Sequence, residues 1–281
     1  MARCSVNGLV RNNKESFMYN FSFEKVNSVE EAVAAIQKAE DGKFVAGGQT
    51  MLPTMKHRLA DPSNIIDLSG IKSLTEIKAN NQCVTIGAMV THRSVASSPD
   101  VLRDIPALAK LAGNIGDPAV RNRGTIGGSI ANNDPAADYP AAVIGLGATI
   151  NTNKREVFAD DFFTGMFETA LEEDEVITSV SFPIANVAAY MKFENPASRY
   201  AIVGVFLVKL TDNVRIGVTG ATACAHRGRR LEDALNNDFS PAAIDPVELP
   251  VDEMNSDIHA SAEYRAHLVK VMTKRAVEAC N

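Results

Sequence analysis

No tryptophan and only four cysteines occur in this 281-residue chain. Cys4, Cys83, Cys224 and Cys280 are scattered, with no Cys-x-x-Cys pair, which argues against a zinc site, an iron–sulfur site or a disulfide framework. Any metal cluster that matters to the protein is therefore expected in another chain. Long apolar runs are missing as well: the longest, at residues 141–148 and 201–208, fall short of the roughly 18 residues of a membrane span. The N-terminus lacks the apolar segment of a secretory signal, because Arg11, Asn12, Asn13, Lys14 and Glu15 interrupt it. Together these absences predict a cytoplasmic protein. Nor is there a block of like charge: 28 Lys+Arg against 34 Asp+Glu give a net charge of −6, which disfavours nucleic acid as a partner. His57, His92, His226, His259 and His267 are dispersed without nucleophile or metal spacing, so each is expected to be an ordinary surface or core histidine, and no catalytic residue is assigned.

What is present is the balance of a folded domain or two, 46% hydrophobic and 22% charged, patterned as α+β without repeats. Residues 1–17 show no periodicity and stay unassigned; strand-like alternation begins at residues 20–23. Ser28 with Glu31 forms a capping box that opens a helix with Ala32, Val33, Ile36 and Ala39 on its apolar face and Gly42 as its stop. A short strand at 43–46, a Gly47-Gly48 turn and a short helix over 50–59 follow. Strands are predicted at 64–68 and 83–88, then helical pieces over 91–115 broken by Pro99 and Pro106. Residues 116–139 carry Gly116, Gly124, Gly127, Gly128, Pro118 and Pro135, too many breakers for a helix and too long a stretch for an idle loop. A helix at 140–147, a hairpin near Asn153 and Lys154 and strands at 175–182, 190–193, 201–210 and 214–223 lead into a helical C-terminal part at 230–235, 241–244 and 261–279.

Two glycine turns stand out. Gly47, Gly48, Gln49 and Thr50 lie between a strand and a helix, where bare backbone amides and a hydroxyl can converge on an anion. Thr125, Ile126, Gly127, Gly128 and Ser129 offer the same ingredients again, and two such turns can clamp the two phosphates of a dinucleotide. The alternative is plain turn geometry. Neither turn fits G-x-G-x-x-G or G-x-x-x-x-G-K-[ST], which points away from the folds that use those loops. Asn132, Asn133, Asp134 and Asp138 read either as ribose or flavin acceptors or as Asx turns and caps, and Arg121 and Arg123 as phosphate contacts or a solvated pair.

In combination these residues resemble the FAD-binding medium subunit of the molybdenum hydroxylases, the family of xanthine, carbon monoxide and nicotine dehydrogenases. Ala46, Gly47, Gly48, Gln49 and Thr50 are similar to its first A-G-G-x-[ST] loop, followed by Leu52-Pro53 and by Lys56, Arg58 and Leu59. Residues 125–129 are similar to its second T-I-G-G-[NS] loop, preceded by Asp117, Pro118, Arg121 and Gly124 and followed by Asn132, Asp134 and Asp138. The resemblance covers about residues 18–281. It implies a two-part FAD-binding domain of the vanillyl-alcohol-oxidase-like type, with an N-terminal α/β region at 18–75 and a middle α+β region at 76–177. A C-terminal domain at 178–281, a three-stranded antiparallel sheet with helices, completes it. Both loops would hold the FAD pyrophosphate through backbone amides, with Thr50 and Ser129 adding hydroxyls. Asp138 would be the acidic FAD contact, Lys192 a lysine after a sheet strand and Tyr200 the aromatic beside the flavin ring. Residues 195–199 depart from the family's K-x-x-x-x-D-[YF] run, with Arg199 where an Asp often precedes the aromatic.

The implied activity is that of an oxidoreductase subunit in a heterotrimer, assembled as a dimer of heterotrimers. A large molybdopterin-binding subunit oxidises a substrate, [2Fe-2S] clusters in a small subunit relay electrons, and the FAD of this chain passes them to an external acceptor. Two other readings stay open from the residues alone: a self-contained FAD-dependent oxidoreductase, and a non-redox nucleotide-binding or scaffold subunit.

Overall fold

A computed structural model describes residues 18–281 and builds them from three main sheets. The first is parallel, in the order β1 (Ser22–Lys25), β3 (Asn64–Asp67), β2 (Gly42–Val45), with helix Val29–Ile36 leading from β1 to β2 and helix Met51–Lys56 from β2 to β3. Ser28 Oγ accepts from the Glu31 N–H at 3.1 Å, as the capping pattern predicts, while the Glu31 carboxylate accepts from the Asn27 N–H at 2.8 Å. The helix ends at Ile36, short of the predicted stop at Gly42, because the N–H groups of Lys38 and Ala39 turn back to carbonyls three residues earlier and tighten the last turn. Gly42 opens β2 instead.

The middle sheet is antiparallel. Its strands are β4 (Ile77–Ala79), β5 (Cys83–Gly87), β6 (Thr149–Thr152), β7 (Glu156–Phe158) and, after a two-stranded ribbon of β8 (Phe163–Gly165) and β9 (Glu168–Thr169), β10 (Ile177–Pro183). Their order is β4-β5-β10-β6-β7. Val84, Ile86, Ile150, Val180 and Phe182 from this sheet share one core with Leu108, Leu111 and Val143 from the helices laid over it. The predicted breaks at Pro99 and Pro106 are present: helices His92–Ser97, Pro99–Asp104 and Pro106–Gly113 follow one another, each proline at a helix start where its missing N–H is tolerated.

Residues 116–139 correct the sequence reading. Two short helices, Pro118–Arg123 and Ile126–Asn132, form within the breaker-rich segment, because Asp117 and Thr125 cap them, Pro118 takes the first position of one, Gly127 and Gly128 sit in the first turn of the other, and the remaining breakers fall between or beyond the helices.

The C-terminal sheet is antiparallel in the order β11 (Ala188–Glu194), β12 (Ala201–Lys209), β13 (Val214–Thr219), β14 (His226–Arg227), so the three expected strands gain a two-residue edge strand. Helix Ala262–Ala279 covers one face and helix Tyr139–Leu146 the other. That double cover explains two patterns. Residues 201–208 of β12 are buried without alternation, and every residue of helix Tyr139–Leu146 is buried.

Candidate functional site

The first glycine turn leaves β2, and the second opens helix Ile126–Asn132; the fold brings them together backbone to backbone. A Cβ on Gly47 would stand 2.1 Å from the Arg123 carbonyl oxygen, and Gly48 has a φ of +69°, which side-chain-bearing residues rarely adopt. The Ala46 methyl faces Gly128 from the other side. Between and beside the turns lies a cavity of about 880 Å³, within the size range of small-molecule and cofactor sites.

The two turns differ in what they can offer. Among the described residues, the N–H groups of Gly47, Gly48, Gln49 and Thr50 donate no hydrogen bond, and all four residues line the cavity. The amides of the second turn are already committed. Ile126 donates to the Val90 carbonyl at 3.1 Å, Gly127 to Ala88 at 2.9 Å, Gly128 to the Thr125 hydroxyl at 3.1 Å and Ser129 to the Thr125 carbonyl at 3.0 Å. The first turn thus presents free donors to an anion, whereas the second presents side chains and a close-packed glycine surface. Thr125 is a buried N-cap, so Thr125→Ala is expected to lower the stability of the cofactor-free chain by about 1 kcal/mol in a urea melt.

Of the residues singled out in the sequence, Ala46, Gly47, Gly48, Gln49, Thr50, Thr125, Gly127, Gly128, Ser129, Asp138 and Tyr200 all line this one cavity. Ile126 does not: it is fully buried in the core beneath the turn. Nor does Lys192, which lies within β11 and not after it, with its side chain turned into the protein. The Asp138 carboxyl sits in the wall, 5% exposed, accepting from the Tyr190 hydroxyl and pairing with Lys192 at 3.1 Å. Burial raises its pKa, partly offset by Lys192. Burial, Asp134 and Asp138 likewise raise the Tyr200 phenol.

The ambiguous polar residues divide. Asn133 takes a left-handed conformation as a helix C-cap and donates to the Gly165 and Glu168 carbonyls, and Asp134 closes an Asx turn onto the Ala136 N–H at 2.8 Å, both structural duties. Asn132 and Asp134 still face the cavity. Arg121 is no solvated arginine: it donates to the Ile115 and Gly116 carbonyls and pins the neighbouring wall.

Two groups of wall residues went unrecognised in the sequence. His92, read as an ordinary histidine, is 4% exposed in the cavity wall, its Nδ1 without a partner among the described residues and its ring 5.3 Å from that of Tyr139. Burial, reinforced by the Arg121 charge, pushes its pKa down to about 4, so the imidazole is neutral at neutral pH. Glu172, Glu173 and Glu175 form an acidic stretch of the wall. Burial alone would raise the Glu175 carboxyl, but bonds from Arg155, the Glu172 N–H and Thr152 hold it at about 2.

A protein whose two glycine turns meet beside a cavity of about 880 Å³ has relatives in sequence and in structure. Residues 19–185 match the FAD binding domain in molybdopterin dehydrogenase. The chain belongs to that family. It is 36% identical over 264 residues to the nicotine 6-hydroxylase medium subunit of Paenarthrobacter nicotinovorans, covering 89% of this chain and 93% of that one. The carbon monoxide dehydrogenase medium chain of Hydrogenophaga pseudoflava is 35% identical over 277 residues, covering 92% and 96%. The solved carbon monoxide dehydrogenase of that organism superposes with a TM-score of 0.85 over 94% of this chain and 98% of the other. Quinoline 2-oxidoreductase from Pseudomonas putida 86 gives the same score at 31% identity, over 94% and 98%. As a member of this family the chain is an FAD-binding oxidoreductase subunit of the medium-chain type with the expected α+β fold. No helix among the described residues is long and apolar enough to cross a membrane.

Proposed function

We propose that this chain carries FAD in a three-subunit molybdenum hydroxylase and conducts electrons from the iron–sulfur clusters of a small subunit, through the flavin, to an external acceptor. A large molybdopterin-binding subunit would hold the substrate site, and the complex would be a cytoplasmic dimer of heterotrimers. The observation that carries the reading is the row of free N–H groups at residues 47–50, packed beside the second glycine turn on the wall of one cavity.

The residues present fit the dinucleotide. The amides of Gly47, Gly48, Gln49 and Thr50 would take the pyrophosphate oxygens, since no Cβ at the glycines keeps them at a distance. Thr50 and Ser129 would add hydroxyl donors, and Tyr200 would shield one end of the cavity from water. Bound FAD supplies the redox chemistry that joins two-electron substrate oxidation to one-electron relays. The chain itself binds, orients and desolvates, and its wall holds His92 neutral.

The test is to purify the protein from its native source with whatever accompanies it and then add candidate donors without oxygen. N-heterocycles, carbon monoxide and aldehydes are the panel. The proposal expects two companion chains, releasable FAD, and bleaching of the flavin by at least one donor in the complex but not in the isolated chain. A solitary chain whose flavin is bleached directly would instead identify a self-contained oxidoreductase, and a colourless chain indifferent to FAD a scaffold.

A further inference from the structure

Lys192, the residue expected at the cofactor, is found behind the cavity wall, where three acceptors saturate its ammonium. Its Nζ donates to the Asn114 carbonyl at 3.0 Å and to the Arg199 carbonyl at 3.0 Å, and it pairs with Asp138 Oδ1 at 3.1 Å, while the side chain is 6% exposed. An ammonium has three N–H donors, so none is left over. The three acceptors come from three segments of the wall. Asn114 follows helix Pro106–Gly113 and precedes Ile115 and Gly116, Arg199 precedes Tyr200, and Asp138 itself faces the cavity.

We infer that Lys192 is a positioning residue: a three-point clamp that fixes this end of the cavity before any cofactor arrives and touches none itself. The inference rests on the FAD reading only for what the cavity holds; the clamp is a property of the free chain. Arg199 makes the need for it concrete. Its φ is +62°, in the left-handed region that non-glycine residues enter only when their surroundings hold them there. Its N–H donates to the Asn195 carbonyl at 2.8 Å and its carbonyl accepts from Lys192, in a turn that Asn195 also ties through its own N–H to the Tyr200 carbonyl at 2.8 Å and through its side chain to the Ala197 and Ser198 N–H groups. Lys192 ties this turn to the rest of the wall, whereas those other bonds are internal to residues 195–200; its release lets the turn, with Tyr200, shift as a unit. A lysine suits the position because a compact ammonium donates in three diverging directions, whereas the planar fork of arginine does not.

The experiment compares the full chain with Lys192→Met, Asp138→Asn and the double variant, by hydrogen exchange without FAD and then by FAD titration and the visible circular dichroism of bound flavin. Lys192→Met is expected to speed exchange about tenfold at both 114–117 and 197–201 in the cofactor-free chain. It should also weaken FAD by roughly tenfold and alter the flavin dichroism. The double variant removes the unpaired buried carboxyl as well, so it is expected to regain melting temperature while exchange and dichroism remain altered. It also serves if the single variant fails to fold. Unchanged exchange with weakened FAD would overturn the clamp in favour of a direct ligand. Recovery of exchange and affinity together in the double variant would overturn it in favour of simple charge balance. If the wild-type chain took up no FAD, the cofactor reading would fall, and the exchange comparison would still decide the clamp.

Discussion

Alanine at position 47 is expected to weaken FAD binding by roughly 30- to 150-fold, equivalent to about 2–3 kcal/mol of overpacking strain. The added methyl would meet the Arg123 carbonyl oxygen at 2.1 Å and the Gly124 Cα at 2.8 Å, and both are backbone. That backbone cannot yield cheaply. The Gly124 N–H is held by the Val120 carbonyl at 2.7 Å, and its carbonyl by the His92 N–H at 3.0 Å. The two turns must therefore part, which separates the free amides of the first from the hydroxyls of the second. Gly113→Ala is the matched control, because its nearest neighbour would be the Ala96 Cβ at 3.8 Å, an ordinary contact. Fluorescence titration of FAD with both variants checks the expectation; a Gly47→Ala chain that binds within threefold of wild type would contradict the described meeting of the turns.

The second large effect is a loss of stability on mild acidification of the cofactor-free chain, traced to His92. Its pKa is about 4 in the fold against an ordinary 6.5, so the unfolded chain takes up a proton that the folded chain refuses. The sign follows. Above pH 6.5 both states are neutral and the term vanishes. It grows as a penalty while the pH falls from 6.5 towards 4, and below that it is complete at about 3 kcal/mol. Glu175 acts in the same direction but lower, because its carboxyl is held at about 2 against 4.5 and its stabilisation is lost only as pH falls through that interval. Urea midpoints measured between about pH 7 and 4.5 should fall steeply for wild type and markedly less for His92→Leu. Equal slopes would place the acid sensitivity elsewhere.

How much of this was legible in the sequence depended on how local the determinant is. The capping box at Ser28, the proline-started helices after residues 98 and 105, and the hairpin near Asn153 and Lys154 are set by neighbouring residues, and the fold has all three. The glycine turns were legible for the same reason, and so was their convergence once the resemblance tied them together. The stop of the first helix was misread because Gly42 serves the next strand. The helices within residues 116–139 were missed because breakers at a helix start act as starters, a positional meaning that composition hides. His92 and the acidic stretch at 172–175 could not be read at all: their approach to the cavity is a tertiary fact. The commitment of the second turn's amides to Ala88 and Val90 was equally invisible, and it leaves the first turn as the one with amides to give.

That asymmetry is what a single measurement can reach most directly: amide hydrogen exchange of the full chain with and without FAD. The structure predicts that, without FAD, residues 47–50 exchange freely while 126–129 are already protected, and that FAD at one equivalent protects 47–50 and changes 126–129 little. FAD bound with residues 47–50 still exchanging freely, or protection gained chiefly at 126–129, would contradict the assignment of the first turn as the pyrophosphate cradle.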